Sequence, residues 1–289
     1  MSTEQVTLRL VIPSGRLCES VAALLSDAGL DVRCDGKDYR PAVSDTRFKV
    51  KLLKAANIPK LVEFGAHDLG FSGLDWIRET AAEVTTLLDT ELLPVRVVVA
   101  GPIGADPFAL RRERMLTVAS EYESLTKTYM NSREVAYRYM RTYGATEVFP
   151  PEDADLIVDN VATGRTLAAN GLAIIDEILA SSTLLVANKA AMDDPNKRAL
   201  IEELQTLIQS VLDARVRVLL DMNVTGDRLD AVVRMLPAMR SPTVQPLHGE
   251  GGFAVRAAVL RAEVRGLLLQ LRQAGATDIL QSEIQRVLL

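Results

Sequence analysis

At 289 residues the chain is too long for one ordinary core and has room for two or three domains. Its 48% hydrophobic and 25% charged residues are globular in balance and exclude a disordered chain. A formal net charge of −5 argues against nucleic-acid binding, which needs clustered Lys and Arg, while an anionic small molecule needs only a few placed cations. The local basic run of Arg111, Arg112 and Arg114 has acidic neighbours and reads as a solvated turn. Cys18 and Cys34 lack metal-like spacing, and the two histidines, His67 and His248, lie far apart. That excludes a structural zinc site and leaves reduced thiols as the simplest reading. With no signal sequence and no apolar run near the ~18 residues of a membrane span, the chain reads as cytoplasmic.

Residues 7–13 read as a strand, followed by a helix carrying Val21, Leu24 and Leu25 that Gly29 closes. Residues 50–53 form a second strand, and Ile58 and Pro59 open another helix. Residues 68–73 are a short buried strand that breaks into a glycine turn, and the β-branched run 95–100 is a strand covered on both faces. The rhythm then repeats: strand 115–120, helix 125–140, strand 146–149, strand 156–158. Such alternation predicts an α/β fold with mainly parallel sheets in two lobes, and ligands in a crevice beyond the carboxyl ends of the strands.

From about Arg215 the pattern changes. Strand 215–220 precedes a helical stripe of Leu229, Val232, Val233 and Leu236. Strands at 241–244 and 253–260 flank a Gly-rich turn. A second stripe of Val264, Leu267, Leu268 and Leu271 stops at Gly275, and 277–280 is the last strand. This is the β-α-β-β-α-β order of a ferredoxin-like domain, a unit that enzymes often carry as a sensor.

The stretch from Asp155 to Leu167 carries the most chemistry. An apolar strand ends on Asp159, and a small, hydroxyl-bearing turn of Ala162, Thr163, Gly164, Arg165 and Thr166 feeds a helix from about Leu167. Backbone N–H groups and two hydroxyls at such a turn can converge on one anion, with Gly164 allowing close approach. Asp159 could accept hydrogen bonds from a sugar's hydroxyl pair. Spacing alone leaves an equal alternative, a buried strand followed by a helix capped by Thr163 or Thr166. Neither a P-loop nor a dinucleotide fingerprint is present.

The run D-N-V-A-T-G-R-T-L-A-A-N-G-L resembles the phosphoribosyl-pyrophosphate loop of the ATP phosphoribosyltransferase family. Other segments match the family in order: S-G-R-L at 14–17, N-I-P-K-L-V-E-F-G-A-H-D-L-G-F-S-G-L-D at 57–75, A-S-E-Y at 119–122 and G-A-T-E-V at 144–148. S-P-T-V-Q-P-L at 241–247 and Q-A-G-A-T-D-I-L at 273–280 resemble the regulatory domain of its long form. The chain departs from the pattern where Pro13 and Ser14 replace the family lysine beside the first glycine. It departs again where Lys54 replaces an arginine, and where Leu92, Leu93, Pro94, Val95 and Arg96 replace a G-F-G-x-C-R turn.

The resemblance implies two periplasmic-binding-protein-like lobes with a catalytic cleft plus an ACT-like, ferredoxin-like domain. Lobe I would comprise 1–95 and 185–212, lobe II 96–184, and the regulatory domain 213–289. It implies transfer of phosphoribosyl from phosphoribosyl pyrophosphate to ATP with Mg²⁺, feedback inhibition by histidine, and assembly as homo-dimers or hexamers. By the same resemblance Arg16, Lys54 and Glu147 are the candidate catalytic residues. Asp159, Ala162, Thr163, Gly164, Arg165 and Thr166 bind the ribose phosphate, and Asp221 and Thr243 contact histidine. Asp75 and Glu121 are lesser candidates. The alternative reading is a weak or inactive paralogue that serves as a ligand-binding regulatory subunit.

Overall fold

Two kinds of sheet follow from these two sequence patterns. The structure is a computed structural model describing residues 6–34, 38–106, 108–109, 114–239, 241–249 and 251–289. It divides into one unit of Met1–Ser26 with Leu30–Glu202 and another of Asp27–Gly29 with Glu203–Leu289. Among the described residues no helix is long and apolar enough to cross a membrane.

In the first unit the elements begin with β1 (Leu8–Pro13), α1 (Arg16–Asp27), β2 (Phe48–Leu53), α2 (Ile58–Glu63), β3 (Leu69–Gly73), α3 (Leu74–Thr80) and β4 (Thr85–Pro102). They continue with β5 (Leu116–Ser120), α4 (Glu123–Ser132), β6 (Tyr137–Arg141), β7 (Leu156–Val161), α5 (Arg165–Ala169), β8 (Leu172–Ala187), α6 (Lys189–Asp193) and the start of α7 (Pro195–Arg215), whose residues from Glu203 onward belong to the second unit. The strands form one sheet in the order β2-β1-β3-β8-β4-β7-β5-β6. β1 pairs parallel with β2 and β3, and β5 pairs parallel with β6 and β7. Each parallel block forms one end of the sheet, and the antiparallel pair β4 and β8 joins the two. Leu8, Leu10, Val11 and Ile12 are wholly buried, as the continuous apolar runs of covered parallel strands require.

The run at 95–100 proves to be the end of a much longer strand. β4 pairs with β8 through several register shifts, and Glu91 and Leu93 take positive φ in the irregular middle. Hydroxyls hold that stretch: Thr90 donates to the Thr183 carbonyl at 2.6 Å, and Thr183 donates to the Leu92 carbonyl at 2.9 Å.

Three sequence expectations need correction. The helix expected over 125–140 ends at Ser132, and Glu134 turns left-handed at φ 53°. Tyr137 and Tyr139 are then half-buried on either side of the exposed Arg138, the period of two that belongs to β6. The strand expected at 146–149 is a 3₁₀ turn at Thr146–Val148, because Gly144 and Ala145 both adopt positive φ and reverse the chain. Cys18 and Cys34, expected as free thiols, form a disulfide: the chain after α1 folds back and leaves their Cα atoms 6.3 Å apart, within bonding reach. Arg111 and Arg112 lie outside the described residues, and Arg114 of the same run is bound to the Asp155 carboxylate.

The second unit contains β9 (Arg217–Thr225), α8 (Leu229–Met235), β10 (Thr243–Pro246), β11 (Gly252–Leu260), α9 (Val264–Gln273) and β12 (Thr277–Glu283). The sheet order β10-β11-β9-β12, antiparallel throughout, is the ferredoxin-like plan expected from the sequence. Along β9 the buried residues alternate as Val218, Leu220, Met222 and Val224, and they meet Val232, Leu267 and Leu271 of the helices in one core.

Candidate active site

The carboxyl ends of β5 and β7 point the chain's polar side chains into one region of the first unit. β7 ends on Asp159, Asn160 and Val161; residues 162–164 turn, and α5 starts at Arg165. Gly164 sits at φ 74°, a left-handed conformation that a residue with a Cβ adopts only under strain. It stands at the N-cap position with no side-chain cap, so neither Thr163 nor Thr166 is spent on capping the helix. Leu167 is buried and pins the turn from below, leaving Thr163, Arg165 and Thr166 exposed. α5 has only five residues, so its dipole adds little, and any anion here is held by local N–H groups, hydroxyls and nearby cations.

A cavity of about 280 Å³ opens over this turn, lined by Arg16, Val95, Glu147 and residues 159–167. It gathers eight of the eleven residues singled out from sequence: Arg16 from the start of α1, Glu147 from the 3₁₀ turn, and Asp159, Ala162, Thr163, Gly164, Arg165 and Thr166 line it directly. Lys54 lies apart from them and lines a second cavity of about 300 Å³ with Ser14, Ala55, Ala56, Trp76, Glu121, Arg141, Thr142 and Tyr143. Among the described residues Arg16, Lys54 and Arg165 have no ion-pair partner; Arg16 and Arg165 line the first cavity and Lys54 the second. Burial, with the negative charges of Glu147 and Glu121 nearby, pushes the Asp159 carboxyl up to about 6.

Behind the cavities runs a buried chain of hydrogen bonds that no sequence pattern announced. Ser181 donates to Asp75 Oδ1 at 2.7 Å, Tyr122 donates to Asp75 Oδ2 at 2.6 Å, and Asn160 Nδ2 donates to the Tyr122 oxygen at 2.8 Å. Burial and the adjacent carboxylate hold the Tyr122 phenol far above its usual pKa, so it stays a donor. The Tyr122 ring stacks on Trp76 with centroids 4.6 Å apart. The glycine before this aspartate has a reason as well. A Cβ on Gly73 would lie 2.1 Å from Asp75 Oδ1, so the carboxylate can fold back only over a glycine. The chain fixes Asn160, next to Asp159, against α3 and β8, with partners 38 to 106 residues apart in sequence.

In the second unit Thr243 lines a cavity of about 650 Å³ with Ser241, Met239, Arg256, Leu288 and Leu289 among others. Asp221, expected beside it as a joint ligand contact, is not among the lining residues. It pairs across the sheet with Arg256, which is, at 2.6 Å.

Fold and site together define a two-lobed α/β protein with a cavity over the turn at 162–164 and a ferredoxin-like unit after it. The sequence profile of ATP phosphoribosyltransferase matches residues 54–210, and that of the HisG C-terminal domain matches residues 214–286. The chain is 36% identical over 293 residues to an ATP phosphoribosyltransferase of Chlorobium phaeovibrioides, covering 100% of each. It is 38% identical over 286 residues to that of Desulforudis audaxviator, covering 97% of this chain and 99% of the relative. A solved chain from the ATP phosphoribosyl transferase (HisG:HisZ) complex of Thermotoga maritima matches with TM-score 0.62 at 28% identity, over 70% of this chain and 99% of that one. The chain therefore belongs to the ATP phosphoribosyltransferase family, in its long form with the C-terminal domain, and is a pentosyltransferase of histidine biosynthesis.

Proposed function

We propose that the cavity over residues 159–167 seats phosphoribosyl pyrophosphate while ATP enters the cleft opposite it. The observation that carries this reading is the uncapped turn, whose two threonine hydroxyls and left-handed glycine face an open cavity beside unpaired cations. Thr163, Arg165 and Thr166 hold the ribose 5-phosphate, with Ala162 and Gly164 leaving the backbone N–H groups accessible. Asp159 accepts from the ribose hydroxyls. N1 of the adenine attacks C1 of the ribose; the C1–O bond to pyrophosphate breaks, and the leaving oxygen takes the bonding pair. N1 already holds a lone pair, so no strong base is required. The site's work is to align N1 with C1 and to stabilise charge on the departing pyrophosphate. Arg16 and Lys54 supply that stabilisation, and Glu147 borders the ribose.

Among the described residues no group of three carboxylate, histidine or cysteine side chains could cage a metal ion. Mg²⁺ would be expected to come bound to the pyrophosphate and to neutralise its charge, the usual habit of Mg²⁺ with phosphates. The second unit is read as a histidine site in which Thr243 contacts the amino acid and Asp221 acts through Arg256. The setting is taken as cytoplasmic, and assembly as homo-dimers or hexamers, which light scattering would measure. The decisive test mixes ATP with phosphoribosyl pyrophosphate and follows pyrophosphate release. The wild-type chain is expected to turn over, and Arg16→Ala to lower kcat by about 10²-fold or more. Activity unchanged by Arg16→Ala would remove that residue from the site.

A further inference from the structure

The two cavities of the first unit differ in one respect that bears on which half of which substrate each can hold. Aromatic residues make up only 4% of the chain, and the cavity over the phosphate turn has none. The second cavity is lined by two, Trp76 and Tyr143. Trp76 cannot drift, because its ring stacks on Tyr122, whose hydroxyl is tied to the buried Asp75. Tyr143 is the opposite case. It stands just beyond the end of β6 with 88% of its surface exposed, and its only ring contact among the described residues is the Arg141 guanidinium, 6.0 Å from the centroid. A phenol ring left in water at the mouth of a cavity gains most from a flat partner that covers its face.

We propose that Tyr143 is the specificity-determining wall for the purine of ATP, stacking on the adenine within the cavity that Trp76 closes. The rest of the lining suits a nucleoside triphosphate. Glu121 can accept from the exocyclic amine, while Arg141 carries charge that attracts the triphosphate. The sugar phosphate of the other substrate has no flat apolar face for these rings to cover. Base–aromatic stacking of this kind corresponds to about a 10-fold gain in affinity, at the lower end of its range. This assignment rests on the proposed division of the cleft between the two substrates.

The test uses the full chain and initial rates of pyrophosphate release for the wild type, Tyr143→Phe and Tyr143→Ala. Because the ring is almost wholly exposed, removing it leaves the core intact. Tyr143→Phe, which keeps the ring, is expected to stay within about 2-fold of wild type. Tyr143→Ala is expected to raise KM for ATP about 10-fold while KM for phosphoribosyl pyrophosphate holds. An unchanged KM for ATP in Tyr143→Ala, or an equal rise for both substrates, would overturn the assignment. A wild-type chain that released no pyrophosphate would overturn the reading of the cleft instead. Calorimetric titration of ATP into wild type and Tyr143→Ala would then judge the wall separately, with equal affinities refuting it.

Discussion

Tyr122→Phe removes one oxygen and nothing else, and the structure says what that oxygen holds. It donates to a buried carboxylate, Asp75, at 2.6 Å and accepts from Asn160 at 2.8 Å, while the ring keeps its stack on Trp76. A hydrogen bond to a charged acceptor contributes about 1.5–3 kcal/mol and a neutral one about 0.5–1.5 kcal/mol. Little cavity forms, so the two together set an expected loss of about 2–4 kcal/mol in unfolding free energy, measured by urea titration. Asn160 precedes the phosphate turn, so its release should also loosen Asp159, and kcat is expected to fall about 10-fold while the fold persists. The reasoning is refuted if the variant unfolds at the same urea concentration as wild type. It is refuted in its functional half if stability drops but kcat does not.

Two further outcomes follow from the site. Since burial raises Asp159 to about 6, the carboxylate needed to accept ribose hydroxyls is lost as pH falls through that value. KM for phosphoribosyl pyrophosphate should therefore climb about 10-fold between pH 7 and pH 5, and Asp159→Asn should flatten that dependence. The stability sign is opposite: a folded-state value above the unfolded one favours folding in acid and is lost as pH rises through about 6, so Asp159→Asn should raise the melting temperature at pH 8. In the second unit, histidine is expected to inhibit, and Thr243→Val to weaken that inhibition at least about 5-fold with kcat unchanged, as read from a dose–response series. A wild-type enzyme indifferent to millimolar histidine would turn the second unit into an assembly element instead.

What could be read from the chain and what could not divides along sequence distance. The turn at 162–164, as a piece of structure, was legible because its parts are consecutive: the strand end, Asp159, the small residues and the start of the following helix lie in one run of nine residues, 159–167. The second unit was legible because its central strand and its helical stripes each bury one face, as β9 does with Val218, Leu220, Met222 and Val224 and α9 with Val264, Leu267 and Leu271. β6 was misread because residues 125–140 contain neither Gly nor Pro to end a helix, and the break comes from the left-handed Glu134. The long strands β4 and β8 escaped notice since much of each is half-buried and interrupted by register shifts, which blurs any period of two. The hydrogen-bond chain through Asp75, Tyr122, Asn160 and Ser181 joins residues as far as 106 positions apart, and no local pattern encodes such a meeting. The disulfide is a similar case: two cysteines 16 residues apart become neighbours only once the segment after α1 folds back.

The central claim is that residues 159–167 hold the ribose phosphate, and titrating phosphoribosyl pyrophosphate into wild type and Gly164→Val tests it most directly. Gly164 occupies φ 74°, where a β-branched residue is strained, and its Cβ position has only Ile174 Cδ1 within reach at 3.7 Å, so the substitution disturbs the turn and spares the core. The prediction is a circular dichroism spectrum like that of the wild type with affinity lowered by about 10²-fold and turnover abolished. Undiminished affinity in a folded Gly164→Val chain would place the substrate elsewhere.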